Sequence, residues 1–242
     1  MTFTSPIIYL AVFAPSVAAL ICARWQGAHA LRDLLSRLLR WRINPIWLAA
    51  AILLPLCLGV APRWLAAAAS GEPPPLASLL APAGLAGLAA ATLADPGPLG
   101  EELGWRGFAL PRLLQRMNGV QAALLLGAIW ALWHVPAFFI AGMPQSQIPF
   151  IPWLVCTLAL SVLMAWVTNG AQGALAPAML MHWGWNRFAD LHGTAGWLTA
   201  ALMLVAAIAL CVATQFDLDR RHNPAPPATV ARSKRPIPSV TS

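Results

Sequence analysis

Residues 149–168 read PFIPWLVCTLALSVLMAWVT, twenty residues without a charge. As a helix rising about 1.5 Å per residue, such a run spans the roughly 30 Å hydrocarbon core of a bilayer. Working outward, similar apolar runs occupy 6–22, 45–62, 76–94, 119–141, 174–191 and 195–213. Charged residues make up only 10% of the 242 and hydrophobic ones 59%, whereas roughly a quarter of an ordinary soluble domain is charged. Twelve Trp against one Tyr supply the rings that anchor helices at membrane interfaces. The sequence therefore predicts an all-α, polytopic transmembrane helix bundle of seven to eight helices, multi-pass in the cell membrane.

The formal net charge is +7. In a soluble chain that would point to nucleic acid. Here the basic residues flank apolar runs, so they read as topology signals and contacts with anionic lipid, and no nucleic-acid partner is expected. The segment 24–42 carries five Arg at helical apolar spacing and is expected to lie in the interface plane. A Pro-rich, basic stretch, 217–242, reads as a disordered cytoplasmic tail after an integral membrane domain over 1–216. The turns "GEPPP" (71–75) and "ADPGPLG" (94–100) stop helices, and "MNG" (117–119) is a tight helix connection. No positive charge precedes the first apolar run, so that run is expected to stay as an N-out anchor. Of 15 basic residues, 13 fall in 24–42, 99–116 or the tail. With the first and last of these groups cytoplasmic, the preferred topology leaves 99–116 re-entrant or shallow. The four Cys are widely spaced in apolar surroundings and read as small apolar fillers.

Within this apolar background a few polar residues stand out: Glu101, Glu102, Arg106, His134, His182 and Asn186, with Arg187 and Asp190 near a helix end. An ionisable group at the centre of a spanning helix costs about 2.5–3.5 kcal/mol on insertion scales, so it persists when paired, hydrated or used. Glu102 and Arg106 are four apart with the acid first, the better order for an intrahelical ion pair. Glu101 points to a neighbouring face, away from that pair. His182 and Asn186 are also four apart and share a face. The turn near Asn118 lies about midway between Glu101 and His134, so antiparallel packing of the flanking helices sets those two at similar depth. A carboxylate, two imidazoles and an amide converging in a low-dielectric site suit hydrolysis: a general base, a proton shuttle and donors for an oxyanion.

Each residue also has a plainer reading. Glu101 follows a helix-start signature and would favour the helix dipole. His134 alone would be a hydrogen-bonded core histidine, and His182 with Asn186 would be interhelical glue. The Trp-rich patches read as packing, and Asp95 as a cap or turn.

The three stretches EELGWR (101–106), WALWH (130–134) and HWGWN (182–186) resemble, in order, the EExxxR, FxxxH and HxxxN/D motifs of the CPBP intramembrane endopeptidases, the CAAX prenyl protease 2-like or Abi group. The resemblance covers about 85–190. It implies Glu101 as catalytic base, His134 as its partner in activating water, His182 and Asn186 as oxyanion stabilisers, and Glu102 with Arg106 as a supporting pair. Trp130 replaces the usual Phe, which implies altered packing with activity kept. The expected substrate is a peptide or membrane protein. No cofactor is required by the preferred mechanism, although Glu101, His134 and His182 would form a zinc-ligand set if a metal were bound. Two other readings stand beside this one: a non-catalytic binding or bacteriocin-immunity protein on the same fold, and a proton-coupled transporter, for which the expected paired repeats are missing from the sequence.

Overall fold

The computed structural model describes residues 6–71 and 82–218; the expected tail from 219 onward, residues 1–5 and the stretch 72–81 lie outside the described residues. The chain is helical, with no strand among the described residues. In order it forms α1 (Pro6–Trp25), α2 (Ala28–Ser36), α3 (Pro45–Ser70), α4 (Pro82–Leu93) and α5 (Gly97–Glu102). A π-helical stretch, Leu103–Ala109, then leads into α6 (Leu110–Leu113), followed by α7 (Gly119–His134), α8 (Phe150–Gly170), α9 (Ala176–Phe188) and α10 (Gly193–Ala213). Among the described residues, five helices are long and apolar enough to cross a membrane: α1, α3, α7 with its 3-10 extension to Phe139, α8 and α10. The uncharged run 149–168 forms α8, the most enclosed of the five. It packs on α7, α10 and α9, and Ser161 Oγ donates to the Ala123 carbonyl of α7 at 2.8 Å. The prediction of an all-α polytopic bundle is met.

The segment 99–116, expected to be shallow or re-entrant, packs along α1 and is not among the helices long and apolar enough to cross a membrane. Gly100 sits against Val12 and Gly104 against Pro15, while Arg112 reaches Gln26 just past the end of α1. The seam forms because Gly100 and Gly104 lie one turn apart with no side chain. A Cβ at Gly100 would stand 2.7 Å from the Val12 carbonyl oxygen, and one at Gly104 would collide with the Pro15 carbonyl. Small residues four apart let helices approach closely in lipid. Of the run 76–94, the described part is α4, with 12 residues; residues 76–81 lie outside the described residues.

The segment 24–42 is likewise more than a lipid-facing helix. α2 buries Leu34 in a small core with Ala19, Ala23, Leu103 and Leu175. The turn at 117–119 is as expected: Asn118 caps α7, accepting from the Gln121 amide at 2.9 Å while the Gln121 side chain accepts from the Asn118 amide. At the start of the expected tail, Leu218 is buried against Gly119, and its carbonyl accepts from Asn169 Nδ2 at 3.1 Å.

Candidate active site

The site is assembled from α5 with its π-helical continuation, the last turn of α7, and α9. Glu102 and Arg106, both fully buried, form the anticipated ion pair, Arg106 Nη1 donating to Glu102 Oε1 at 3.0 Å. The same carboxylate oxygen faces His182 Nδ1 at 2.8 Å. Burying a charge in this setting requires partners, and here one carboxylate serves both a guanidinium and an imidazole. Because an ionised carboxylate only accepts, His182 Nδ1 carries the hydrogen and only Nε2 is left for other work.

Glu101 lies on the adjacent face, as its position predicts, and is also buried. It does not share the Glu102–Arg106 bond. Its Oε2 instead accepts from Trp130 Nε1 at 2.7 Å. Trp130 is the common neighbour of the whole group. The Arg106 guanidinium lies over its ring, 4.4 Å from the centroid, and both imidazoles meet it edge-on, His182 at 5.2 Å and His134 at 5.7 Å between ring centroids. The structure therefore brings Glu101, Glu102, Arg106, His134 and His182 together around one indole.

His134 closes α7, with Nδ1 2.9 Å from the Trp130 carbonyl one turn earlier. A carbonyl can only accept, so Nδ1 bears the hydrogen and Nε2 of the neutral ring presents a lone pair. Trp133 and Trp153 press edge-on against the ring and fix its orientation. Glu102 Oε2, Arg106 Nε and Arg106 Nη2 are buried without a protein hydrogen-bond partner. Buried polar atoms of that kind are ordinarily satisfied by water or ligand.

Asn186 takes a different place. It stands one turn beyond His182 on α9, exposed at the rim, and its Nδ2 donates to Asp95 Oδ2 at 2.9 Å. Asp95 does more than cap the chain. Its Oδ1 accepts from the Gly97 amide at 3.0 Å, while Oδ2 also accepts from Arg187 at 3.3 Å. Trp183 Nε1 donates to the Asp95 carbonyl at 3.1 Å. Rim and interior meet at Gly97. A methyl group there would lie 3.4 Å from Glu101 Oε1, 3.8 Å from Asn186 Nδ2 and 3.1 Å from Asp95 Oδ1. Glycine keeps that space open.

Two participants were not anticipated. Trp130 was expected only to pack, and Asp95 only to turn the chain. Trp130 differs from a Phe at that position by carrying an N–H, and that difference was the available clue. Nothing local marks Asp95 as a partner of a residue 91 positions away. Among the described residues no group of three His, Cys, Asp or Glu side chains is placed to hold a metal ion. The zinc-ligand set Glu101, His134 and His182 is thus not gathered as a cage.

This arrangement places a buried acid pair and two histidines together on the helices of an apolar bundle. Residues 82–188 match the family described as Type II CAAX prenyl endopeptidase Rce1-like. A CAAX prenyl protease 2 of Methanococcus maripaludis is 29% identical over 88 residues, covering 34% of this chain and 32% of that protein. The chain thus spans about a third of the length of this curated relative. With the three motifs in order, this segment is similar to the Rce1-like CAAX prenyl endopeptidases.

Proposed function

We propose that this protein is an intramembrane endopeptidase in which Glu101 is the general base. Water held between Glu101 Oε1 and His134 Nε2 attacks the carbonyl carbon of a peptide bond as Glu101 takes its proton. The carbonyl electrons move to oxygen, where His182 Nε2, when the ring is protonated, and the second N–H of Asn186 donate to the oxyanion. The oxyanion then collapses, the C–N bond breaks, and Glu101 returns its proton to the leaving nitrogen. The products are a carboxylic acid and an amine, which become carboxylate and ammonium by transfer of the acid's proton, and the enzyme regains its starting charge. Glu102 holds His182 by Nδ1, and Arg106 balances Glu102.

The observation that carries this reading is the division of labour between adjacent acids. Glu102 is bound by Arg106 and His182, while Glu101 is held through one oxygen only, by a neutral donor. Oε1 of Glu101 is the one that faces the space beside Gly97. The relative's name specifies CAAX prenyl substrates for that protein; for this chain the proposal is hydrolysis of a peptide bond within or at the membrane.

The test uses full-length protein in detergent, wild type and Glu101→Gln, matched for thermal stability and incubated with a peptide library. Wild type should cleave and the variant should lose at least about a thousandfold in rate, the scale of removing a general base. Equal cleavage by both would reject Glu101 as the base, and cleavage by neither would favour a binding protein on this fold. Loss of activity on chelation, restored by zinc, would overturn the metal-free mechanism.

A further inference from the structure

The two ends of the bundle differ in charge. At one end the structure gathers the α1–α3 connection, the turn before α7, the α8–α9 loop and Leu218. Arg40 donates to the Gln172 carbonyl, Leu175 to the Arg37 carbonyl and Arg112 to Gln26, while Leu218 covers Gly119. This end carries the five Arg of 24–42 together with Arg112 and Arg116, against Asp33 and Asp217. The chain leaves the described residues at this end, after Leu218. The opposite end holds Arg63 and Arg187, each matched by an acid: Asp190 at 3.3 Å and Asp95 at 3.3 Å.

The candidate site belongs to the second end. Exposure rises from fully buried Arg106 and Glu102, through Glu101 and His182, to half-buried Asp95 and exposed Asn186. Along α7, Trp130 stands 11 residues from Gly119 and four from the helix's last residue, so it lies about 16 Å from the arginine-rich end. Exposed Trp25 and Trp41 mark that end, and exposed Trp64 and Trp197 the other, consistent with two interfacial belts.

Lys and Arg in short loops and near the ends of spanning helices stay on the cytoplasmic side. We infer that the arginine-rich end is cytoplasmic and that the candidate site opens on the extracytoplasmic face, so that it takes peptide bonds of exported chains or of the outer parts of membrane proteins. The orientation stands on charge placement alone; the substrate class rests on the hydrolytic reading above.

Cysteine accessibility tests the orientation without needing catalysis. Cys22, Cys57, Cys156 and Cys211 are replaced by Ala in the full chain, and one reporter is then introduced at an exposed, uncharged position: Thr194→Cys at the site end or Gln115→Cys at the other. Right-side-out bacterial spheroplasts are treated with a membrane-impermeant maleimide and compared with detergent-solubilised protein. Thr194→Cys should react in spheroplasts at least about tenfold more than Gln115→Cys, with both reacting alike in detergent. His192→Cys serves as a second site-end reporter should Thr194→Cys not react in detergent. Reaction of Gln115→Cys alone, of both positions, or of neither in spheroplasts would overturn the inference. An inactive enzyme labelled as expected would fail the hydrolytic reading only, and an active one labelled in reverse would fail the orientation only.

Discussion

The floor and the rim of the site use the same chemical types with different constraints. At the floor Glu102 is bonded to Arg106 and His182, and the first two are wholly buried. At the rim Asp95 is bonded to Asn186 and Arg187, with Asn186 exposed. Coulomb attraction is strong and desolvation severe at the floor, whereas water weakens both at the rim. The floor is therefore expected to hold the structure together, and the rim to adjust position with little effect on stability.

The largest effect should come from breaking the floor. Arg106→Leu leaves Glu102 buried with a single imidazole partner and removes the cation over Trp130. Loss of one member of a buried pair costs about 3–5 kcal/mol, so thermal unfolding in detergent should show a drop of many degrees together with loss of cleavage. An Arg106→Leu protein as stable as wild type would mean that floor and rim do not differ as described.

Next comes Trp130→Phe, which keeps a ring against Arg106 and the imidazoles and deletes only the N–H bonded to Glu101. Hydrogen bonds to charged groups contribute about 1.5–3 kcal/mol, so kcat should fall on the order of tenfold to a hundredfold. KM should hold, because the bond orients the base rather than binding substrate. A rise in KM at constant kcat would reassign Trp130 to substrate contact.

These two variants also separate what the sequence disclosed from what it concealed. The Glu102–Arg106 pair was legible because both partners lie on one helix at a spacing that fixes their geometry. The helical bundle was legible because apolar runs of bilayer length have few other uses. The bonds Trp130–Glu101 and Asp95–Asn186 join different helices, and their partners depend on how those helices pack. The packing of 99–116 was not legible for a related reason: the Gly100–Gly104 seam against α1 and the bond from Glu102 to His182 both depend on neighbouring helices.

A smaller effect is expected at the rim. Asp95→Ala should cost about 1–2 kcal/mol, less than the floor pair because Asn186 and Arg187 keep access to water, and lower kcat/KM about threefold to tenfold through loss of orientation at Asn186, on the scale of about one hydrogen bond. A double-mutant cycle sharpens this. If Asp95 acts by positioning Asn186, then Asp95→Ala combined with Asn186→Ala should be no worse than Asn186→Ala alone. Additive losses would show that the two act separately.

The smallest effect belongs to a third charge cluster, on α2 at the arginine-rich end, which shows how little such a pair contributes when solvated. Asp33 faces Arg37 at 2.8 Å and Arg40 at 3.2 Å, with 43% of its side chain exposed. Partial burial alone would raise its pKa, but the Arg37 hydrogen bond and the charges of Arg37 and Arg40 outweigh that and hold it below the ordinary 3.8. A depressed carboxylate pKa stabilises the fold above its unfolded value and loses that contribution as pH falls through the folded one. Solvent screening keeps the gain to a few tenths of a kcal/mol. Wild type should therefore unfold slightly above Asp33→Asn at pH 7, and the gap should close as the pH is taken below the ordinary 3.8. A gap that persists or widens in acid would show that Asp33 acts through its hydrogen bonds as a neutral group, and that its charge adds nothing measurable at this end.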